Sequence, residues 1–262
     1  MPLNEVCHFL EEVAPLHLQE TYDNAGLICG NPNWDIKGAL ISLDATEEVI
    51  DEAIQMNCNL VISHHPIVFK GLKSFQGLHY VERAIIKAIK NDIALYSIHT
   101  NLDNVLYNGV NQKIADILGL TNVQILSPKS SAEPKIGSGV IGDLKSSLPI
   151  QDLLELLKIK FNGSSIRHTR ITKNHIQKIA ICGGSGSFLI PYSIRSAADV
   201  YITSDIKYHE FFEANDQLIL IDIGHFESEQ FTIQLLFDLI SKKYPNFAAH
   251  CTKTNTNPVQ YF

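Results

Sequence analysis

Short apolar runs alternate with amphipathic stretches along most of the chain. After a first helix within residues 1–13, the runs GALISLDA, NLVISHHP and IALYSIH predict buried strands. Between these runs, TEEVIDEAIQM and YVERAIIKAIK show the apolar spacing of helices, and Thr46 is placed to cap the first of them. A strand that regularly alternates with a helix predicts an α/β fold with mainly parallel sheets and helices packed on their faces.

A second α/β series follows a polar segment. Residues 127–135, SPKSSAEPK, lose apolar content and carry two prolines, so they form the predicted internal boundary. The strands predicted beyond it are GSGVIGDL, SIRHTRI, IQKIAICGG, VYITS and LILIDIG. The helices predicted there are LPIQDLLELLKI, FLIPYSIRSAA, YHEFFEA and a long one from about 226 to 242. The pattern therefore predicts two α/β lobes with a similar rhythm of elements but no repeat at the level of residues.

Composition narrows the class of protein. Of 262 residues, 45% are hydrophobic and 19% charged, and the formal charge of −7 gives no support to nucleic-acid binding. No run approaches the roughly 20 apolar residues that span a bilayer, and the N-terminus lacks the layout of a signal peptide. The five cysteines are scattered and never form a Cys-x-x-Cys pair, which favours reduced thiols. We expect a cytoplasmic globular protein without a membrane partner.

Histidines and carboxylates follow two of the predicted strands. The run LVIS leads into His64 and His65, and Pro66 ends regular hydrogen bonding there. The strand IALYSIH runs into His99 and, four residues later, Asp103. Because the same ends of parallel strands lie side by side, Asp103 can approach the histidine pair. Taken singly, each signal also fits hydrogen-bonded or solvent-facing histidines and an aspartate that caps a turn.

A third strand end carries another pair. The strand LILIDIG ends at Gly224, and His225 and Glu229 follow with a spacing of four residues. On a helix this spacing puts both side chains on one face, with Cβ atoms about 5–6 Å apart. An exposed histidine beside a glutamate that the helix dipole favours is the competing interpretation.

The three signals together predict a metal site. Three imidazoles and two carboxylates exceed what one tetrahedral zinc ion needs and suit two divalent ions about 3.5–4 Å apart. A carboxylate, Glu229 or Asp103, would bridge them. The absence of cysteine ligands argues against a closed structural zinc site. The ligand set accepts zinc, iron, manganese or cobalt.

With these residues assembled, the chain closely resembles the Nif-three-like family of dinuclear-metal proteins, whose bacterial members are commonly labelled GTP cyclohydrolase 1 type 2 homologs. The matching segments span nearly the whole chain and are YDNAGLICG at 22–30, VISHHP at 61–66, SIHTNLDN at 97–104, ICGGSGSF at 181–188, ITSDIKYH at 202–209 and GHFESE at 224–229. The resemblance places the metal ligands on His64, His65, Asp103, His225 and Glu229, and implies that Glu229 touches both ions.

The resemblance also implies an architecture. It gives two similar α/β lobes with the metals in a cleft between them, and a toroidal homohexamer, a trimer of dimers, whose sites face an internal cavity. The first lobe would be discontinuous, with residues 1–126 and 225–262, and the second would cover 136–224. The short linker at 127–135 leaves no room for the extra domain that some relatives insert.

Further residues are candidates for substrate contact. The turn with Gly184 and Ser185 lies between a strand and a helix start, where backbone N–H groups can cradle an anion, although a tight structural turn explains it equally well. It lacks the Walker A and dinucleotide patterns. Asp205, Tyr208 and His209 follow the strand VYITS and can line the same cleft, or serve as a cap and exposed side chains. His99 is a candidate for orienting a ligand or carrying a proton.

Two functions follow as expectations. The first is a metal-dependent hydrolase in which metal-activated water attacks a small, nucleotide-like substrate, and the family label suggests opening of the GTP purine ring. The alternative is a non-catalytic metal-binding hexamer for metal storage, delivery or scaffolding. A two-metal phosphoesterase shares the ligand chemistry, but its usual Asp-x-His and Gly-Asn-His-Asp runs are absent from the sequence.

Overall fold

The computed structural model describes residues 1–163 and 165–262. Contacts divide the chain into a first unit, Met1–Leu102 with Thr232–Pro258, and a second unit, Asp103–Phe231 with Val259–Phe262. The strands are β1 (Gly26–Cys29), β2 (Gly38–Ser42), β3 (Leu60–Ser63), β4 (Ala94–Ser97), β5 (Thr121–Pro128), β6 (Gly137–Pro149), β7 (Arg167–His168), β8 (His175–Ser185), β9 (Val200–Ser204), β10 (Ile219–Asp222) and β11 (Ala248–Cys251).

Helices connect most of these strands. They are α1 (Leu3–Val13), α2 (Glu47–Gln55), α3 (Tyr80–Lys90), α4 (Thr100–Asp103), α5 (Val110–Ile117), α6 (Ile150–Lys160), α7 (Ile190–Arg195), α8 (His225–Glu229) and α9 (Phe231–Lys243). Short 3-10 segments occupy Leu16–Leu18, Ser187–Leu189 and Tyr208–Ala214. Thr46 caps α2 as predicted, since its hydroxyl accepts a hydrogen bond from the Val49 N–H at 3.3 Å. Among the described residues, no helix has the length and apolar character needed to cross a membrane.

The sheet of the first unit is mainly parallel. Its strand order is β1-β4-β3-β2-β11, and only the pairing of β1 with β4 is antiparallel among its described strands. Every residue of β2, β3 and β4 is buried, which explains their unbroken apolar sequences. One face packs against α2 and α3 through a cluster that includes Leu40, Val61, Leu95, Ile50 and Ala88.

The sheet of the second unit is mixed, with the order β5-β6-β8-β9-β10-β7. The central pairings of β8 with β9 and of β9 with β10 are parallel, whereas β5, β6 and β7 add antiparallel pairings. Its core includes Ile141, Ala180, Tyr201 and Leu220 from the strands and Leu189 at the start of α7. The fold is thus α/β with two helix-flanked sheets, as the sequence predicted, but the second sheet is mixed and not mainly parallel.

The bounds of the two units differ from those predicted for the lobes. The segment 127–135 lies in a hairpin and includes the end of β5 and the turn, because β5 pairs with β6 and Pro128 lies opposite Gly137. Residues 103–126, placed with the first lobe from sequence, therefore belong to the second unit together with α8. The long helix predicted from about 226 to 242 is split into α8 and α9 at Gln230.

Candidate metal centre

The first unit brings its histidines together by aligning the ends of three parallel strands. Ser42, the last residue of β2, pairs with Ser63 of β3, and Ser63 pairs with Ser97 of β4. The hydroxyl oxygens of Ser63 and Ser97 lie 3.1 Å apart. The chain leaves all three strands at the same edge of the sheet. The polar residues that follow directly are Asp44, His64, His65 and His99.

Three imidazoles meet at this edge. The metal-binding nitrogens of His64, His65 and His99 all lie within 4.8 Å of one another. Their ring centroids form a nearly equilateral triangle, with separations of 5.0, 5.2 and 5.4 Å. His64 is completely buried, and the side chains of His65 and His99 are 17% and 13% exposed. The first unit therefore offers three imidazole nitrogens close to one another.

The rings of His64 and His65 are held through their Nδ1 atoms. His64 Nδ1–H donates to the Ile98 carbonyl at 2.8 Å, and His65 Nδ1–H donates to the Asp44 carboxylate at 2.8 Å. The other oxygen of Asp44 accepts a hydrogen bond from the Thr256 hydroxyl at 2.6 Å. Burial alone raises the pKa of Asp44, but these two hydrogen bonds and the nearby histidines outweigh burial and lower it. Both imidazoles thus present Nε2 as the nitrogen that can bind a metal.

His99 is anchored by a fully buried carboxylate. Its Nδ1–H donates at 2.8 Å to Asp23, whose side chain is 0% exposed. Asp23 also accepts hydrogen bonds from the backbone N–H groups of Asn24 and Thr100 and from the Thr100 hydroxyl. Although burial raises the pKa of Asp23, the hydrogen bonds and the His99 charge bring it down to about 2. The role predicted for His99, orienting a ligand or carrying a proton, stays a prediction.

In the second unit, His225 lies between two carboxylates. Its Nδ1–H donates to Asp205 at 2.6 Å, and its Nε2 lies 3.0 Å from Glu229, one helical turn further along α8. Asp205 and His225 follow β9 and β10, and because these strands are parallel and adjacent, their carboxyl ends lie together. Gly224 makes the turn into α8 with φ of 93°. The predicted one-face spacing of His225 and Glu229 is present.

The two carboxylates create a field that favours positive charge at His225. Burial lowers the pKa of His225, but the charge of Glu229 and the hydrogen bond to Asp205 outweigh burial and raise it to about 11. The pKa of Asp205 is lowered, first of all by its hydrogen bond with His225. The same field stabilises a divalent cation that takes the place of the imidazolium proton.

Asp103 joins Glu229 in this unit. A carboxylate oxygen of each lies within 4.8 Å of the other, and Glu229 is only 3% exposed. Asn111, which is 1% exposed, links the backbone at Asp103 with the backbone at Gly183. Its side-chain amide donates to the Asp103 carbonyl at 3.1 Å, and its side-chain oxygen accepts from the Gly183 N–H at 2.9 Å. The second unit therefore offers two neighbouring carboxylates and one imidazole.

The glycine-rich turn lies against Glu229. A Cβ atom on Gly184 would come within 2.3 Å of Glu229 Oε1, and φ of Gly184 is +63°. Its N–H donates to the Ser228 hydroxyl at 2.9 Å, and its carbonyl accepts from the Thr203 hydroxyl at 3.0 Å. The glycine thus permits close approach to the carboxylate, while anion binding by Gly184 and Ser185 stays a prediction.

Tyr208 and His209 are placed differently from Asp205. Asp205 holds a histidine ring, whereas Tyr208 and His209 lie in the 3-10 segment that follows and are exposed. The ring centroid of Tyr208, which is 74% exposed, lies 5.1 Å from that of His209 and 5.7 Å from that of Phe212. Substrate contact by these exposed rings stays a prediction.

The donor set fits a first-row divalent ion. In His64, His65, His99 and His225, Nδ1 is bound to a carbonyl or carboxylate oxygen, which is the arrangement that fixes ring orientation in metal-binding histidines. Imidazole nitrogen combined with carboxylate oxygen suits zinc, iron, manganese or cobalt. The His/Glu groups of both units can therefore hold metal.

Sequence reasoning missed the residues that hold the histidines. Asp23 and Asp44 lie 76 and 21 residues from the histidines they bind, and Thr256 lies 212 residues from Asp44. The sequence pattern did not point to Asn111 either. Only Asp23 carried a hint, because it belongs to the segment YDNAGLICG that contributed to the family resemblance.

Comparison with known proteins gives consistent matches. The model of the Duf34/NIF3 (NGG1p interacting factor 3) family matches residues 1–258. A Campylobacter jejuni protein named GTP cyclohydrolase 1 type 2 homolog is 34% identical over 264 residues and is covered completely, as is this chain. A Clostridium perfringens protein of the same name is 36% identical over 230 residues, which cover 87% of either chain.

Solved structures share the fold. The crystal structure of Staphylococcus aureus protein SA1388 superposes with a TM-score of 0.91 and 29% sequence identity, covering 100% of this chain and 99% of that one. Reduced HcgD from Methanocaldococcus jannaschii gives a TM-score of 0.81 with 27% identity, covering 97% of this chain and 98% of that one.

Proposed function

Because this chain belongs to the Duf34/NIF3 family, we propose that it is a metal-dependent hydrolase with a centre of two divalent ions. The proposed ligands are His64, His65, Asp103, His225 and Glu229, of which Glu229 would contact both ions. The observation that carries the proposal is the anchoring of the imidazoles: the Nδ1 atoms of His64, His65 and His225 bind carbonyl or carboxylate oxygens, which makes Nε2 the ring nitrogen that would bind a metal.

The residues of the chain supply position and charge. When bound, two such ions polarise an electrophilic carbon or phosphorus centre and lower the pKa of water toward neutrality. Asp44 and Asp205 keep the rings of His65 and His225 in one orientation. Glu229 and Asp103 supply negative charge, and the burial of Glu229 strengthens its attraction for a cation.

The relatives' name suggests the substrate class. The Campylobacter jejuni and Clostridium perfringens proteins are named as homologs of a GTP cyclohydrolase, which supports a small, nucleotide-like substrate for this chain.

We expect zinc-, iron-, manganese- or cobalt-loaded protein incubated with GTP to release formate and a pterin precursor, measured by chromatography. Asp103→Asn should reduce turnover at least about 100-fold, because it removes a ligand charge, whereas His8→Ala, an exposed histidine, should not. Metal-dependent turnover of phosphoesters but not of GTP would change the reaction class.

One observation favours a non-catalytic role as the second candidate. His64 is fully buried and Glu229 nearly so, as expected where an ion organises the fold. If His64→Ala abolishes folding together with metal content, the result supports the structural role. If it removes only metal and turnover, the result supports the hydrolase.

In either case we propose that the chain forms a toroidal homohexamer, a trimer of dimers. Light scattering on the purified protein tests this assembly.

A further inference from the structure

An irregular loop of the first unit, residues 66–79, leads from the histidine pair to α3. It contains Phe69, which is 48% exposed. We infer that this loop recognises a purine nucleotide: Phe69 stacks on the base, and Lys70 and Lys73 bind the phosphate groups. The inference rests on the proposed function, because it takes the nucleotide-like substrate from there and names the residues that bind it.

Phe69 lies beside the histidine cluster. Its ring centroid is 5.6 Å from that of His99, and the two ring planes meet at 81°. The ring of His99 in turn lies 5.2 and 5.4 Å from the rings of His64 and His65. A flat heteroaromatic base can therefore stack on the exposed part of Phe69 while its edge lies next to the histidines.

Two consecutive residues fix the position of Phe69 relative to His99. Asp23 accepts the Nδ1–H of His99 at 2.8 Å. The side-chain amide of Asn24 donates to the Val68 carbonyl at 2.7 Å. Because Val68 directly precedes Phe69, one short segment holds both the histidine ring and the backbone beside the phenylalanine.

Other apolar residues of the loop serve the core. Ile67, Val68 and Leu72 pack against the hydrophobic cluster between the first sheet and its helices α2 and α3. They hold the loop in place, whereas Phe69 remains half exposed beside the histidines. An aromatic ring on a backbone that is already held loses little conformational entropy when a base stacks on it.

The loop carries positive charge in an acidic protein. From residue 53 to residue 81 the sequence has no aspartate or glutamate, although the whole chain has a formal charge of −7. Lys70 and Lys73 are exposed in this stretch, and among the described residues neither forms an ion pair. Even in a fully extended chain Lys73 lies within about 14 Å of Phe69. Both lysines can thus reach the phosphates of a nucleotide whose base stacks on Phe69.

The order of these groups gives the nucleotide one orientation. Its base lies at Phe69, next to the histidines, and its phosphates lie further along the loop. A carbon atom of the purine, and not a phosphorus atom, is then closest to the proposed ligands His64 and His65. This orientation favours attack on the base over hydrolysis of a phosphate ester.

The first test measures binding to the metal-loaded full chain by isothermal titration calorimetry, with GTP, guanosine and inorganic tripolyphosphate as probes. Phe69→Leu should weaken GTP and guanosine binding about 10–100-fold and leave tripolyphosphate binding unchanged. Phe69→Tyr keeps an aromatic ring and should bind all three like the wild type. Phe75→Leu is the matched control, because Phe75 lies in the same loop and is 54% exposed, and it should also bind GTP like the wild type.

The lysines are tested with the same probes. Lys70→Gln combined with Lys73→Gln should weaken GTP and tripolyphosphate binding about 3–10-fold, with guanosine binding unchanged. Lys37→Gln combined with Lys90→Gln removes the same charge from exposed positions elsewhere in the first unit and should have no effect.

Several outcomes overturn the inference. It fails if the wild type does not bind GTP, if Phe69→Leu binds GTP no more weakly than Phe75→Leu, or if the two double lysine variants behave alike. It also fails if Phe69→Leu loses metal in elemental analysis, since the ring would then act through His99. A changed mass of Phe69→Leu in light scattering, with GTP binding kept, would make the ring a contact between copies of the chain.

Turnover separates this inference from the proposed function. A wild type that binds GTP through these residues but releases no formate contradicts the hydrolase alone. A wild type that releases formate while the loop variants bind GTP as tightly as it does contradicts the role of the loop alone.

Discussion

Gly184 shows how a single residue without a side chain shapes the candidate centre. Its backbone lies so close to Glu229 that a Cβ atom would fall 2.3 Å from Oε1, and its φ of +63° is one that other residues rarely adopt. Gly119, after α5, has a similar φ of +68° but has no atom within 4 Å of its Cβ position. A substitution at Gly119 would add backbone strain alone, whereas one at Gly184 would add both backbone strain and a collision with the Glu229 carboxylate.

We expect Gly184→Ala to cost about 2–5 kcal/mol in the free energy of unfolding, because strain and collision add, against about 1–2 kcal/mol for Gly119→Ala. Gly184→Ala should also lower metal affinity by displacing Glu229, whereas Gly119→Ala should not. Urea denaturation and metal titration measure both. Equal effects of the two substitutions would show that Gly184 matters only for its backbone conformation.

Thr256 acts on the centre from the C-terminal segment. Its hydroxyl donates to Asp44, which accepts the Nδ1–H of His65. Thr256→Val should remove the hydroxyl donor to Asp44 and so loosen the hold of Asp44 on the His65 ring. We therefore expect metal affinity to fall about 10-fold. Thr254→Val is the matched control, since Thr254 lies in the same segment but binds Glu52. If both variants weaken metal binding alike, the loss of affinity comes from a disturbed C-terminal segment and not from the lost hydrogen bond to Asp44.

At the scale of elements, the ends of parallel strands gather the functional side chains in each unit. The in-register ends of β3 and β4 place His64, His65 and His99, and the adjoining ends of β9 and β10 place Asp205 and His225. Rigid strands determine where the chain turns away from the sheet. Loops that begin at such ends therefore start from fixed positions, as ligands of one ion require.

The end of β11 is tied to α2 by one carboxylate. Glu52 accepts hydrogen bonds from the Lys253 N–H at 2.8 Å and the Thr254 hydroxyl at 2.8 Å, and also from the Thr252 hydroxyl. Burial raises the pKa of Glu52, but these hydrogen bonds outweigh it and lower the pKa below 4.5. The stabilisation is thus fully present above about pH 4.5 and is lost as the pH falls through the lowered value.

Glu52→Gln should therefore destabilise the protein by about 1–2 kcal/mol at pH 7. The difference from wild type should shrink at more acidic pH, where Glu52 of the wild type is itself protonated. Urea denaturation at several pH values measures the difference, and Glu133→Gln, an exposed glutamate in the turn between β5 and β6, serves as control. A difference that does not change with pH would contradict the role of the Glu52 charge.

At the scale of the whole molecule, the proposed ligands are divided between the two units. His64 and His65 belong to the first unit, and Asp103, His225 and Glu229 belong to the second. The chain passes from one unit to the other after Leu102, after Phe231 and after Pro258, so neither unit is a continuous segment. Ligand substitutions in each unit can therefore test whether both units contribute to metal binding.

Metal should stabilise the folded chain. Zinc at 100 times its dissociation constant adds about 2.7 kcal/mol per site, which corresponds to about 5–10 °C in melting temperature for a chain of this size. Thermal melts with zinc and with a chelator measure the shift. His64→Ala in the first unit and Glu229→Gln in the second should each reduce it. If either variant keeps the whole shift, that unit contributes no ligand to the stabilising site.

The sequence by itself determined the α/β class, the strand ends and the spacing of His225 and Glu229. These features depend on local periodicity, which the chain carries within each run of about ten residues. Only the tertiary structure decided that β5 pairs with β6, which moves residues 103–126 into the second unit. It likewise decided that Asp23, Asp44 and Asn111 hold the site. Such contacts join residues far apart in the chain, and no local pattern records which strand or carboxylate a distant residue will meet.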